Sequence, residues 1–200
     1  MSLDLDDLRR LYSPPVGRTL AKTLDHIDPH AARFLSLSPF CVLGSVGADG
    51  TVDVSPRGGE PGFVRLDGPR RLLLPDRAGN NRLDSFGNIV GGAGEVSLIF
   101  FIPGVDETLR VAGRAQVLDD PALKASMIEF GKPPKAVLAI TVREAFLHCA
   151  KALMRARLWS DAARVERSVL PSLGEMIRDQ TGIGDAEPQA EMLARYKTQL

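Results

Sequence analysis

Apolar positions follow a helical spacing at both ends of the chain and an alternating, strand-like spacing between them. Ser2–Tyr12 predicts a short helix that Ser13-Pro14-Pro15 stops. Val16–Ile27 and Asp28–Leu37 predict two more, the second with Asp28 as N-cap and Pro29 at the first helical position. From Pro39 the period shortens. Phe40–Val46 and Thr51–Ser55 predict a hairpin across Gly47-Ala48-Asp49-Gly50, and Phe63–Leu66 with Arg71–Leu74 a second around Asp67-Gly68-Pro69. Residues 55–62, SPRGGEPG, read as irregular loop between them. Glu95–Ile102 and Glu107–Leu118 read as long strands linked by Pro103-Gly104-Val105-Asp106, with Leu109, Val111, Ala115 and Val117 alternating against Arg110 and Arg114. Asp120-Pro121 caps a short helix through Phe130, and Ala136–His148 is a further strand. Residues 151–159, Val169–Thr181 and Glu187–Gln199 return to helical composition.

At least six strands, with one helix interrupting them after Leu72–Leu74, argue against a parallel βαβ sheet. They predict a mainly β protein with peripheral helices, its strands in a closed or partly closed antiparallel barrel. A single domain accommodates this, with helical decoration over residues 1–38, the barrel over 39–149 and a C-terminal helical segment over 150–200. The apolar fraction of 44% is ordinary for a globular domain. Lys+Arg and Asp+Glu stand at 25 each, so no global field draws the chain to nucleic acid or to an anionic membrane, and an anionic ligand needs a local site. The longest apolar run, Val96–Pro103, falls well short of the ~20 residues that span a bilayer. The acidic start MSLDLDDLRR is unlike a signal peptide, so the expected location is the cytoplasm. Cys41 and Cys149, with no CxxC spacing, fit reduced thiols.

The chemistry gathers in Leu72–Ile89, LLLPDRAGNNRLDSFGNI, where an apolar strand runs into a helix whose first turn is read as carrying Asn80, Asn81 and Arg82, with Leu83, Phe86 and Val90 on one face. Free N–H groups and the positive end of the macrodipole meet at such a start, Gly79 permits close backbone approach, and Arg82 adds a charged fork. The same turn could instead cap a surface helix, with Asn80 as N-cap and Arg82 solvated. Ser55 and Arg57 are donors of the kind that bind a phosphate or a flavin's polar edge. Lys151, Arg155 and Trp159 recur at spacings of four and share a face if residues 151–159 form one helix, either to clamp a flat anion or simply to pack. His26 and His30 are four apart, but Pro29 breaks the face they would share, so they read as partly exposed histidines. His148 and Cys149 point to opposite faces of a strand, which leaves Cys149 as a core cysteine. With no GxSxG, HExxH, Walker A or GxGxxG pattern in the chain, the reactive group of an enzyme here would be a cofactor's.

The succession of strand, PDRAGNNRLDSFGNI helix, strand VSLIFFIPG and strand ETLRVAGRAQVL resembles the FMN-binding split β-barrel proteins related to pyridoxamine 5'-phosphate oxidase. With DVSPRGGEPGF and HCAKALMRARLW added, the chain is similar to a branch of FMN-dependent flavoproteins of the oxidase class. The resemblance implies an antiparallel, Greek-key split barrel that binds FMN, in a homodimer with FMN between the subunits. It places Gly79, Asn80, Asn81 and Arg82 on the family's phosphate-holding turn, where Arg82 keeps one positive charge and Asn81 replaces the other. It places Pro75 and Asp76 at the flavin end and Thr108 where the second subunit reaches FMN; Lys151 and Trp159 are a second candidate group. The chain departs from true pyridoxamine-phosphate oxidases in two places. Their Arg-x-Val-Leu-Leu-Lys strand gives way to Val54-Ser55-Pro56-Arg57 and a Gly-rich loop, and their C-terminal Trp and Arg motif is not recognisable, so activity on vitamin B6 phosphates is not implied. The expected function is an FMN-dependent oxidoreductase acting on a small molecule. The alternative is a non-catalytic flavin or haem carrier, with His148 as axial ligand of the haem.

Overall fold

The computed structural model describes residues 2–199. In chain order the elements are α1 (Leu5–Leu11), α2 (Arg18–Ala21), α3 (Pro29–Leu37), β1 (Phe40–Val46), β2 (Val52–Gly58), β3 (Arg65–Leu66), β4 (Arg71–Asp76), α4 (Asp84–Gly91), β5 (Glu95–Ile102), β6 (Val105–Leu118), α5 (Pro121–Ser126), β7 (Ala136–His148), α6 (Lys151–Ala156), α7 (Leu173–Thr181) and α8 (Gln189–Lys197). The seven strands form one antiparallel sheet in the order β2-β1-β5-β6-β7-β4-β3. The chain therefore leaves β4 near one edge and returns beside β1 near the other, and α4 is the crossing segment, packed on β1, β2 and β6. This is the split-barrel arrangement. None of the helices is long and apolar enough to cross a membrane among the described residues.

Alternation places Cys41 and Leu43 of β1, Leu72 and Leu74 of β4, Leu98 and Phe100 of β5, Leu109 and Val111 of β6, and Leu138 and Ile140 of β7 in one core. Each large side chain so buried contributes about 1.5–3 kcal/mol. A bulge keeps the longest pair on that core. Gly113 pairs with Val142 and Ala112 with Glu144, so Arg143 is the extra residue and Val142 and Ala145 both face inward. Gly113 is required there, because a Cβ would meet the Thr141 carbonyl oxygen at 2.0 Å. A smaller cluster, Leu73, Met127, Val137 and Ala139, fills the other face beneath α5.

Several elements differ from the sequence expectation, each for a local reason. Within 16–27 only Arg18–Ala21 is helical; Leu24 instead exchanges backbone hydrogen bonds with Ala145 of β7. Residues 55–58 are not loop but the second half of β2, paired with Phe40–Leu43; Pro56 is tolerated because β2 is an edge strand. Helix α4 starts at Asp84 with Leu83, not Asn80, as its N-cap residue. It buries Ser85 and Ile89, with Phe86 half-buried, and leaves Leu83 and Val90 exposed. Pro103-Gly104 alone turns β5 into β6, so β6 begins at Val105. The α5 helix ends at Ser126 rather than Phe130. Arg157, in the left-handed region at φ 50°, ends α6 two residues before Trp159. The last two helices begin four and two residues later than the composition suggested, at Leu173 and Gln189.

Candidate functional site

The edge strand β2 carries its polarity inside out. Asp53, Ser55 and Arg57 face inward and are half-buried, whereas Val52 and Val54 face outward and are 66% and 71% exposed. The inward polar row is satisfied by α4 and β4. Asp53 accepts from Asn88 Nδ2 at 2.8 Å, and the Ser55 and Ser85 hydroxyls lie 3.4 Å apart. Arg57 Nε donates to Ser55 Oγ at 3.2 Å, its Nη1 donates to Asp76 Oδ1 at 2.6 Å, and its guanidinium lies 5.6 Å from the Phe86 ring centroid. The short β3 pairs only with Leu72 and Leu73, so the end of β4 around Asp76 has no strand on that side. Arg57 and Asp76 join the two free edges across the split.

The turn from β4 to α4 follows from its asparagines. Asn80 Oδ1 accepts from the Arg82 backbone N–H at 3.1 Å, the local bond by which Asn favours a turn over a helix. Asn81 and Leu83 then take positive φ, 58° and 62°, and the helix cannot begin before Asp84. Arg82 Nε donates to Asp84 Oδ2 at 2.8 Å, a pairing that holds the guanidinium's proton more tightly, and the Arg82 side chain is 72% exposed.

Two adjoining cavities lie along this turn. The smaller, about 290 Å³, runs from Asp53 to Arg57 on β2, across Asp76 to Phe86, to Lys135. The larger, about 630 Å³, shares Ser55, Arg57, Arg77, Asn80 and Lys135 with it and extends past Pro75, Ala78 and Pro133 to the 129–132 turn and Gln199. Most cations of the cleft are engaged by carboxylates: Arg57 by Asp76, Arg82 by Asp84, and Arg77 by Glu129 at 2.9 Å. Lys135 differs. Its Nζ donates to Asn81 Oδ1 at 3.1 Å, and it makes no salt bridge with a carboxylate among the described residues. The backbone puts it there, since Ala136 pairs with Asp76 and Lys135 N–H donates to the Asp76 carbonyl at 3.0 Å.

The cleft thus brings together Ser55, Arg57, Pro75, Asp76, Asn80, Asn81 and Arg82. Thr108, Lys151 and Trp159 do not line it. Thr108 is buried on β6 opposite His148 of β7, and Lys151 is exposed at the start of α6. Trp159 lies beyond the end of α6, so it does not extend a helical face with Lys151 and Arg155; its Nε1 donates to the Val105 carbonyl at 2.9 Å. Several cleft residues, Arg77, Ser85 and Lys135 among them, were not candidates on the sequence. Lys135 could have been found only from the pairing of β7 with β4, which joins residues about sixty apart. His148 packs its ring 4.8 Å from that of Phe146 and lines neither cavity. His26 Nδ1 sits 2.9 Å from Asp25 Oδ1, and His30 is exposed. Cys149 is exposed and Cys41 is the buried cysteine, the reverse of a core role for Cys149, because β7 ends at His148.

Among solved structures, the chain is similar to HupZ of Group A Streptococcus, with 18% identity over 60% of this chain and 93% of that one and a TM-score of 0.48. It is similar to a protein of Clostridium acetobutylicum related to general stress protein 26, with 15% identity over 60% and 85% and a TM-score of 0.46. An F420 reductase is similar with 21% identity over 60% and 98% and a TM-score of 0.43. No curated protein matches the chain. The family model described as pyridoxamine 5'-phosphate oxidase matches residues 27–149, which takes in all seven strands, α3, α4 and the whole β4–α4 turn. On that match, the chain belongs to the pyridoxamine 5'-phosphate oxidase family.

Proposed function

We propose that the cleft between β2 and the β4–α4 turn holds FMN and that the protein is an FMN-dependent oxidoreductase acting on a small molecule. The observation that carries this is Lys135, a cation that donates to Asn81 and makes no salt bridge with a carboxylate among the described residues, at the mouth of a cleft that also offers Asn80, Arg82 and Ser55. That donor set suits a phosphate dianion. A second fit lies in Arg77, whose Nε is buried with no hydrogen-bond partner among the described residues, at the border of both cavities. The larger cavity falls within the about 300–1,000 Å³ that small-molecule sites usually occupy.

FMN, when bound, supplies redox chemistry that the side chains of this cleft lack. The chain's own residues bind and orient. Lys135 and Arg82 provide charge for the phosphate, Asn80 and Asn81 hold the turn open by their own hydrogen bonds, and the Ser55 hydroxyl is a donor on the β2 wall. Arg57 is a strut. Already committed to Asp76 and stacked on Phe86, it fixes the distance between the walls. Pro75 and Asp76 form the strand end toward which the ring would lie.

The proposed assembly is a homodimer with FMN between the subunits. Supporting it is the outward face of β2, where Val52 and Val54 stand exposed on an edge strand, a surface that a second copy would cover. Visible absorption of the purified protein tests the cofactor. Flavin bands that bleach anaerobically with a nicotinamide donor support an oxidoreductase, and a protein that takes up no FMN when titrated contradicts it.

A further inference from the structure

Residues 129–132 form a hairpin with a two-residue loop: Glu129 N–H donates to the Lys132 carbonyl at 3.2 Å, and Lys132 N–H to the Glu129 carbonyl at 3.0 Å. The loop residues Phe130 and Gly131 have φ of 51° and 75°. Mirror-image turns of this kind need positive φ at both positions and favour Asn-Gly or Gly-Gly; a bulky aromatic at the first is against backbone preference. Burial does not compensate, since Phe130 is 53% exposed.

The base of the turn is clamped. Arg77, from the β4–α4 turn, donates through Nη1 to the Lys132 carbonyl and through Nη2 to the Met127 carbonyl and Glu129 Oε2, each at 2.9 Å. The Glu129 carboxylate also accepts from the Glu60 backbone N–H. A strained residue held this firmly is characteristic of a functional position. What it presents is an aromatic ring lining the larger cavity, which also has Pro56, Pro75 and Pro133 as apolar lining. Of the cations lining that cavity, Arg57 and Arg77 are paired with Asp76 and Glu129, whereas Lys135 makes no salt bridge with a carboxylate among the described residues and supplies charge for an anion.

We propose that Phe130 is a specificity-determining residue: its ring stacks on the planar ring of a small aromatic anion that occupies the end of the larger cavity at the 129–132 turn, beyond the stretch shared with the smaller cavity. This rests on the FMN proposal for the identity of the neighbouring occupant, while the stack itself depends only on the hairpin and the cavity. An exposed aromatic on a rigid turn is a surface that strengthens binding of flat rings and discriminates little among aliphatic molecules.

The probe is 2-naphthoate, titrated into apoprotein and FMN-loaded protein, with cyclohexanecarboxylate as the non-aromatic control. Phe130→Gly removes the ring and relaxes the turn, so that variant is expected to fold. The expected result is naphthoate binding weakened by roughly tenfold in Phe130→Gly, the size of one lost stack, and retained in Phe130→Tyr. Cyclohexanecarboxylate and FMN affinity should be unaffected in both. Equal naphthoate affinity in Phe130→Gly and wild type, or no naphthoate binding in the wild type, overturns the proposal. So does a parallel loss of FMN affinity in Phe130→Gly, because the ring would then serve the cofactor. Phe130-dependent naphthoate binding by a protein that takes no FMN would sink the cofactor assignment and leave this one standing.

Discussion

Arg57 Nη1 donates to Asp76 Oδ1 at 2.6 Å, and that contact joins the free edge of β2 to the end of β4. With 18% and 14% of their side chains exposed, both groups are largely withdrawn from water. The pair stands where the barrel is split, so there β2 and β4 are joined by an ion pair rather than by backbone pairing.

Removing one partner strands the other. Asp76→Ala is expected to lower stability by about 3 kcal/mol, as for other buried pairs broken from one side. The Arg57→Met, Asp76→Leu double variant should recover most of that. Urea denaturation of the wild type, the single and the double variants checks this. A double variant as unstable as the single one would show that the two residues do not act as a pair.

The two cysteines should differ sharply toward a thiol reagent. Cys41 is fully buried, and burial pushes its thiol up to about 12 despite the opposing pull of Arg57, while Cys149 is exposed. One thiol per native chain should react quickly with Ellman's reagent, and Cys149→Ser should leave almost none. Rapid labelling of both in the native protein would contradict the packing of β1.

His148 contributes a pH dependence of definite sign. Burial chiefly, then Lys22 and Arg110, lower its pKa below the ordinary histidine value of about 6.5. Below that value the unfolded chain binds protons that the folded one refuses, so the stability associated with neutral His148 is full above pH 6.5 and is lost as pH falls through the folded value. His148→Gln should lose less melting temperature than the wild type between about pH 7.5 and about pH 5. Equal losses would place His148 in a solvent-like setting.

Strands were legible where the pattern was local. The β1–β2 turn at Gly47–Gly50, the Asp28-Pro29 start of α3 and the full length of β7 can all be read from neighbouring residues. Elements set by partners distant in sequence were not. Ser55–Gly58 looks like loop until β1 pairs with it, and Leu24 looks helical until Ala145 captures its backbone. The junction was visible as a candidate site because Asn80, Asn81 and Arg82 are consecutive. The start of its helix was misplaced because the Asn80 side chain bonds the Arg82 backbone and continues the turn. Lys135 was invisible because only the β4–β7 register brings it to that turn.

Titration of the purified protein with FMN, wild type against Lys135→Ala, bears most directly on the cofactor site. The wild type should bind one FMN per chain. Lys135→Ala should bind it about tenfold to a hundredfold more weakly, the loss of one charge-assisted phosphate contact, with Lys135→Arg largely restored. Arg82→Ala should weaken it less, since Arg82 must first release Asp84. A wild type that takes up no FMN, or a Lys135→Ala variant that binds it as tightly as the wild type, would contradict the placement of the phosphate at the β4–α4 turn.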